Sequence, residues 1–75
     1  MKDLIEFIAK EIASNPEQVK VTEEENFGRV VLKLAVADED KGRIIGRNGR
    51  VVESIRVLLR VAAVKQNTRA TLEII

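Results

Sequence analysis

The residues best suited to chemistry in this chain are gathered in Gly42-Arg43-Ile44-Ile45-Gly46-Arg47-Asn48-Gly49. Gly46 and Gly49 bracket a basic and an amide side chain, an apolar pair precedes them, and Arg50 follows. Glycine admits positive φ and brings no Cβ, so another backbone can approach the main chain at both ends of the bracket. The first N–H groups of a helix starting just beyond would lack intrahelical acceptors, and its dipole would favour negative charge there. Phosphate is the natural occupant of such a place, and Lys41, Arg43, Arg47 and Arg50 supply the counter-charge.

Other chemistries are poorly served. Ile44 stands where a dinucleotide-binding G-x-G-x-x-G would have its first glycine, and no Gly-Lys-Ser/Thr follows to make a P-loop. The chain has neither cysteine nor histidine. Disulfides, thiolate and imidazole metal ligands, and Cys–His or Ser–His–Asp nucleophiles are therefore excluded, and no metal or other cofactor is expected. Asp38-Glu39-Asp40 could be read as paired catalytic carboxylates, but nothing nearby would raise one pKa selectively. We expect a binding protein rather than an enzyme.

The loop has to be positioned by the elements around it. Asp3 and Glu6 have the spacing of a capping box. Leu4, Ile5, Ile8, Ala9 and Ile12 then recur at helical spacing, and the helix is expected to stop at Ser14-Asn15-Pro16. Val19-Lys20-Val21 alternates as a short strand, and Glu23 to Gly28 reads as a hairpin loop with solvated glutamates. Arg29 to Ala37 is the clearest strand and the expected centre of the sheet, with Val30, Leu32, Leu34 and Val36 on one face. Asp38-Glu39-Asp40 would cap a short helix running to Ile45. After the loop, Val51, Val52, Ile55, Leu58, Leu59 and Ala62 predict a long core helix that ends at Asn67-Thr68. Ala70, Leu72 and Ile74 alternate in a last strand. Two helices between the second and third strands permit a crossover, so the sheet is expected to be mixed: an antiparallel hairpin plus a parallel outer strand.

Seventy-five residues leave room for one small α+β domain, and two phenylalanines as the only aromatics imply an aliphatic core. No apolar run approaches the length of a membrane span, and a soluble cytoplasmic protein is expected. The net charge of +1 conceals a polarity. Met1 to Asp40 carries five Lys/Arg against ten Asp/Glu, or −5, and Lys41 to Ile75 carries eight against two, or +6. A basic half that begins at the glycine loop suits a phosphate-binding face.

The stretch Ile44-Ile45-Gly46-Arg47-Asn48-Gly49-Arg50-Val51-Val52 resembles the I-G-x-x-G core of KH RNA-binding domains, whose GxxG loop clamps about four nucleotides. The order helix, strand, strand, helix, GxxG, helix, strand resembles the type II KH domain, a three-stranded mixed sheet with three helices on one face. The resemblance covers residues 1–75, with the βααβ core at 29–75. It is strongest to the stand-alone bacterial KhpA family. It implies an RNA chaperone or post-transcriptional regulator that binds single-stranded RNA and works with a KhpB-like partner. A protein-interaction module that no longer holds RNA is the alternative.

On this reading Gly46, Arg47, Asn48, Gly49 and Arg50 hold the sugar-phosphate chain, assisted by Lys41 and Arg43. Ile44, Ile45 and Val52 are candidates for the apolar wall of a groove that receives the bases. Without Tyr or Trp, a platform built on aromatic stacking is disfavoured. At about 100° per residue, Val57, Val61 and Val64 fall together on the side of the long helix away from the core. Three β-branched residues exposed together suggest a partner surface, for a homodimer or for a KhpB-like protein.

Overall fold

A computed structural model describes residues 1–75. Its elements are α1 (Lys2–Ile12), β1 (Lys20–Asn26), β2 (Arg29–Ala35), α2 (Lys41–Ile45), α3 (Arg50–Lys65) and β3 (Arg69–Ile74). Short 3-10 turns lie at Pro16–Gln18, Asp38–Asp40 and Arg47–Gly49. The sheet order is β1-β2-β3. β1 and β2 pair antiparallel, and β2 and β3 pair parallel with Leu32 opposite Leu72. This is the mixed α+β arrangement expected of a type II KH domain.

One aliphatic core joins the helices to one face of the sheet. Val21 from β1, Val30, Leu32 and Leu34 from β2, and Leu72 from β3 meet Ile5 and Ala9 of α1, Ile44 of α2, and Val52, Ile55 and Leu59 of α3. The strand residues alternate because successive side chains point to opposite faces. Those on the helix side of β2 are buried, and the intervening ones keep partial access to solvent.

Local expectations need several corrections. α1 starts at Lys2, so Asp3 lies inside its first turn and no side chain caps it. β1 continues to Asn26, and Glu23 to Glu25 belong to a strand instead of a loop. Backbone pairing with β2 outweighs the poor strand preference of glutamate, and these side chains remain exposed. The connection shrinks to Phe27-Gly28, both at positive φ, as in I′-type hairpin turns. β2 ends at Ala35, two residues early, because the chain leaves the sheet towards Asp38.

Asp40 does not cap its own helix. Its carboxylate is buried and accepts the backbone N–H groups of Ser14 and Asn15, each at 2.9 Å, tying the exit of α1 to the entry of α2. On α3 the buried face is centred on Ile55, Leu59 and Ala63. Leu58 lies roughly 100° from the middle of that face at helical spacing and stays 49% exposed instead of joining the core. Ala62 is only half-buried.

Candidate nucleic-acid interface

The glycine loop turns on three residues at positive φ, Gly46, Asn48 and Gly49. α2 ends at Ile45, and Gly46 redirects the chain at φ 77°, ψ 173°. Asn48 and Gly49 follow at φ 57° and 72°, which is the central pair of a I′ turn. Arg50 N–H donates to the Arg47 carbonyl across that turn, and Gly49 N–H donates to the Gly46 carbonyl at 3.1 Å. Asparagine is among the few residues with a side chain that tolerate this geometry, which explains Asn48.

The two glycines answer different demands. A Cβ on Gly46 would sit 2.7 Å from Val51 Cβ and 2.9 Å from its backbone nitrogen. Val51 therefore packs into the space that Gly46 leaves, locking the loop onto the first turn of α3. A Cβ on Gly49 would meet nothing within 4 Å, so only its φ asks for glycine there.

Arg43, Arg47, Asn48 and Arg50 are exposed, and none of the three arginines is in an ion pair. Lys41 is partly neutralised, its Nζ lying 3.2 Å from Asp38 Oδ1. No side chain caps α3, so its positive N-terminal end adds to the charge of Arg47 and Arg50 in the loop and first turn, while Arg43, on α2, also acts on the Asp40 carboxylate. The arrangement can hold an anionic backbone by charge and by close approach, without reading sequence.

Only one of the three proposed wall residues is available to a ligand. Ile44 is fully buried and Val52 nearly so, and both belong to the core. Ile45, about 100° around α2 from Ile44, is 41% exposed beside the loop. The expectation for Ile44 and Val52 is corrected: they are buried in the same core as Leu32 and Leu34 and cannot also line a groove.

With this geometry in place, the chain can be compared with known proteins. A family model described as KhpA/KhpB, KH domain, matches residues 2–74. The chain belongs to this family. It is 44% identical over 75 residues to the RNA-binding protein KhpA of Clostridium acetobutylicum, with all of both chains covered. The KhpA of Chlamydia pneumoniae is 38% identical over 74 residues, covering 99% of this chain and 95% of the relative. Among solved structures, Aquifex aeolicus Era bound to GDP and aluminium fluoride superposes with a TM-score of 0.65 at 20% identity. That match spans 97% of this chain and 28% of the Era chain, and it shows the shared fold alone.

A second surface lies on α3 of this KhpA/KhpB-family chain. Val57, Val61 and Val64 are exposed as expected, and with Arg60 and Lys65 they line a shallow groove whose wall is almost wholly apolar. Leu58 adjoins the stripe. Its position about 60° from Val61 could have revealed it, had the core face been centred on Leu59 and Ala63. No helix is long and apolar enough to cross a membrane.

Proposed function

We propose that this protein binds single-stranded RNA through the Gly46–Gly49 loop. The observation that carries the reading is a loop in which nothing lies within 4 Å of the space a Gly49 side chain would take, with Arg43, Arg47 and Arg50 exposed around it and in no ion pair. The sugar-phosphate chain would run along the loop, and Ile45 would be the apolar contact for a base. The relatives' name, RNA-binding protein KhpA, supports RNA as the ligand. The role that fits is that of a cytoplasmic RNA chaperone or post-transcriptional regulator.

A single loop of this size gives modest affinity, and a second copy of the site would raise it through effective concentration. The α3 stripe supports a homodimer or a complex with a KhpB-like protein, a pairing the family's joint description also favours. The same stripe favours the second reading, a protein-interaction module without RNA.

The deciding experiment replaces Arg47→Asp together with Asn48→Asp. Aspartate accepts the backbone geometry of position 48, so the fold should survive while two carboxylates repel phosphate. Filter binding is expected to show loss of RNA affinity by at least tenfold with an unchanged circular dichroism spectrum. A folded double variant that keeps its RNA affinity rules out the loop as the site, and a wild type with no RNA affinity leaves the interaction module.

A further inference from the structure

At the end of α3 away from the glycine loop, the β1–β2 turn meets the α3–β3 connection. Asn67 takes a left-handed φ of 54°. The Thr68 N–H donates to the Ala63 carbonyl at 3.0 Å, closing the helix as a Schellman motif. Thr68 Oγ1 donates to the Gly28 carbonyl at 3.1 Å and pins the hairpin tip to the helix end. Two adjoining open clefts share Arg29, Thr68 and Arg69 there; Phe27 rims the first and Arg60 the second.

Arg29 and Arg69 line both clefts and Arg60 the second, and neither cleft contains Asp or Glu. None of the three forms an ion pair; the four in the chain involve other cations. Arg29 and Arg69 stand directly opposite each other in the β2–β3 register, where like charges weaken strand pairing. The negative end of the α3 dipole suits Lys65 in its last turn, but Arg29 and Arg69 sit on strands and donate no hydrogen bond to its carbonyls. Opposed cations without a counter-charge ask for an anion from outside.

Phe27 adds a second observation. It stands fully exposed at the turn and takes φ 51°, an outlier for an aromatic where asparagine or glycine would fit without strain. A ring held in water at the rim of a basic cleft is how proteins grip single strands: guanidinium on phosphate, aromatic face on base.

We propose that these adjoining clefts are a second contact for the RNA strand, with Arg29, Arg60 and Arg69 on phosphates and Phe27 stacked on a base. The choice of ligand rests on the RNA-binding reading above, but Phe27, Arg29 and Arg69 lie beyond the end of α3 away from the glycine loop, a helix of 16 residues or about 24 Å, and Arg60 lies within that helix, towards the same end. A strand of four nucleotides reaches one contact at a time. At about 3.4 Å per stacked nucleotide, ~12 nucleotides exceed the separation.

The test measures fluorescence anisotropy of oligoribonucleotides of four and twelve nucleotides across a salt series. The longer strand should bind at least tenfold more tightly, with a log–log salt slope steeper by about 1.4 to 2, from roughly 0.7 per phosphate neutralised. Since a longer strand also offers more registers, the slope is the deciding readout. Arg29→Ala with Arg69→Ala should remove about 1.4 of the slope on the longer strand and leave the short strand unaffected. Phe27→Ser should weaken the longer strand about tenfold without changing the slope. Removing opposed charges should leave the melting temperature level or raise it; if the double variant does not fold, each single variant should lose about 0.7.

Equal slopes for the two lengths in the wild type, or a full slope in the variants, overturn the proposal. If Arg47→Asp with Asn48→Asp leaves the long-strand slope intact while the Arg29 and Arg69 variants lose it, the glycine-loop reading fails and the second contact stands.

Discussion

Gly46 and Gly49 share a sign of φ but are constrained by different things, and substitution should separate them. Gly49→Ala meets only the left-handed backbone penalty, roughly 1–2 kcal/mol. Gly46→Ala adds a collision with Val51 that can be relieved only by moving the start of α3, and should destabilise by about 3 kcal/mol. Thermal melting should therefore rank Gly46→Ala well below Gly49→Ala, and equal midpoints would deny the packing role of Val51. Asp40 is the other residue whose surroundings decide its work. The backbone N–H groups of Ser14 and then Asn15 hold its carboxylate below the ordinary aspartate range, outweighing the opposite effect of burial. A lowered native pKa makes its contribution complete above the unfolded value of about 3.9, and the contribution disappears as pH falls through the native one. Asp40→Asn should thus lower the melting temperature by several degrees at pH 7, with the gap closing as the solution is acidified below pH 4. A gap that does not depend on pH would mean that the charge is irrelevant to the latch.

At the level of elements, α3 has a buried face and an exposed apolar one. Ile55, Leu59 and Ala63 pack on the sheet, and Val57, Leu58, Val61 and Val64 face solvent. An exposed residue changed to aspartate should alter monomer stability by no more than about 0.5 kcal/mol. Val61, 52% exposed, meets that condition. Val61→Asp is expected to fold and to sediment as a monomer, whereas the wild type should sediment as a dimer at high concentration. A monomeric wild type would exclude homodimerisation through this stripe, leaving the stripe to a different partner.

Across the whole molecule, acidic and basic residues separate: the glutamates of β1 are exposed on the hairpin, and unpaired arginines lie at both ends of α3. If about three cations at the glycine loop neutralise phosphates, a short single strand should show a salt slope of roughly −2. Replacing Lys2 or Lys20, in the acidic half, should leave that slope unaltered, and equal losses from these lysines would contradict a polarised surface. Much of this organisation was legible in the sequence because it depends on local pattern. Period-2 alternation marked β2, helical spacing marked α1 and α3, and the Gly46–Gly49 bracket marked the turn between α2 and α3. What depends on distant neighbours was not legible. Ile44 and Ile45 are equally apolar, and only the seating of α2 against the sheet buries the first and exposes the second. The glutamates of β1 read as loop because nothing local announces that β2 will pair with them. Asp40 reads as a cap for its own helix, yet its partners lie 25 and 26 residues earlier in the chain. Arg29 and Arg69, 40 residues apart, become neighbours through the parallel β2–β3 register. Periodicity along the chain thus determined the elements and the glycine loop. Long-range packing alone decided which side chains were left for a ligand, because burial and charge pairing are properties of what folds back against a residue and not of the residue itself.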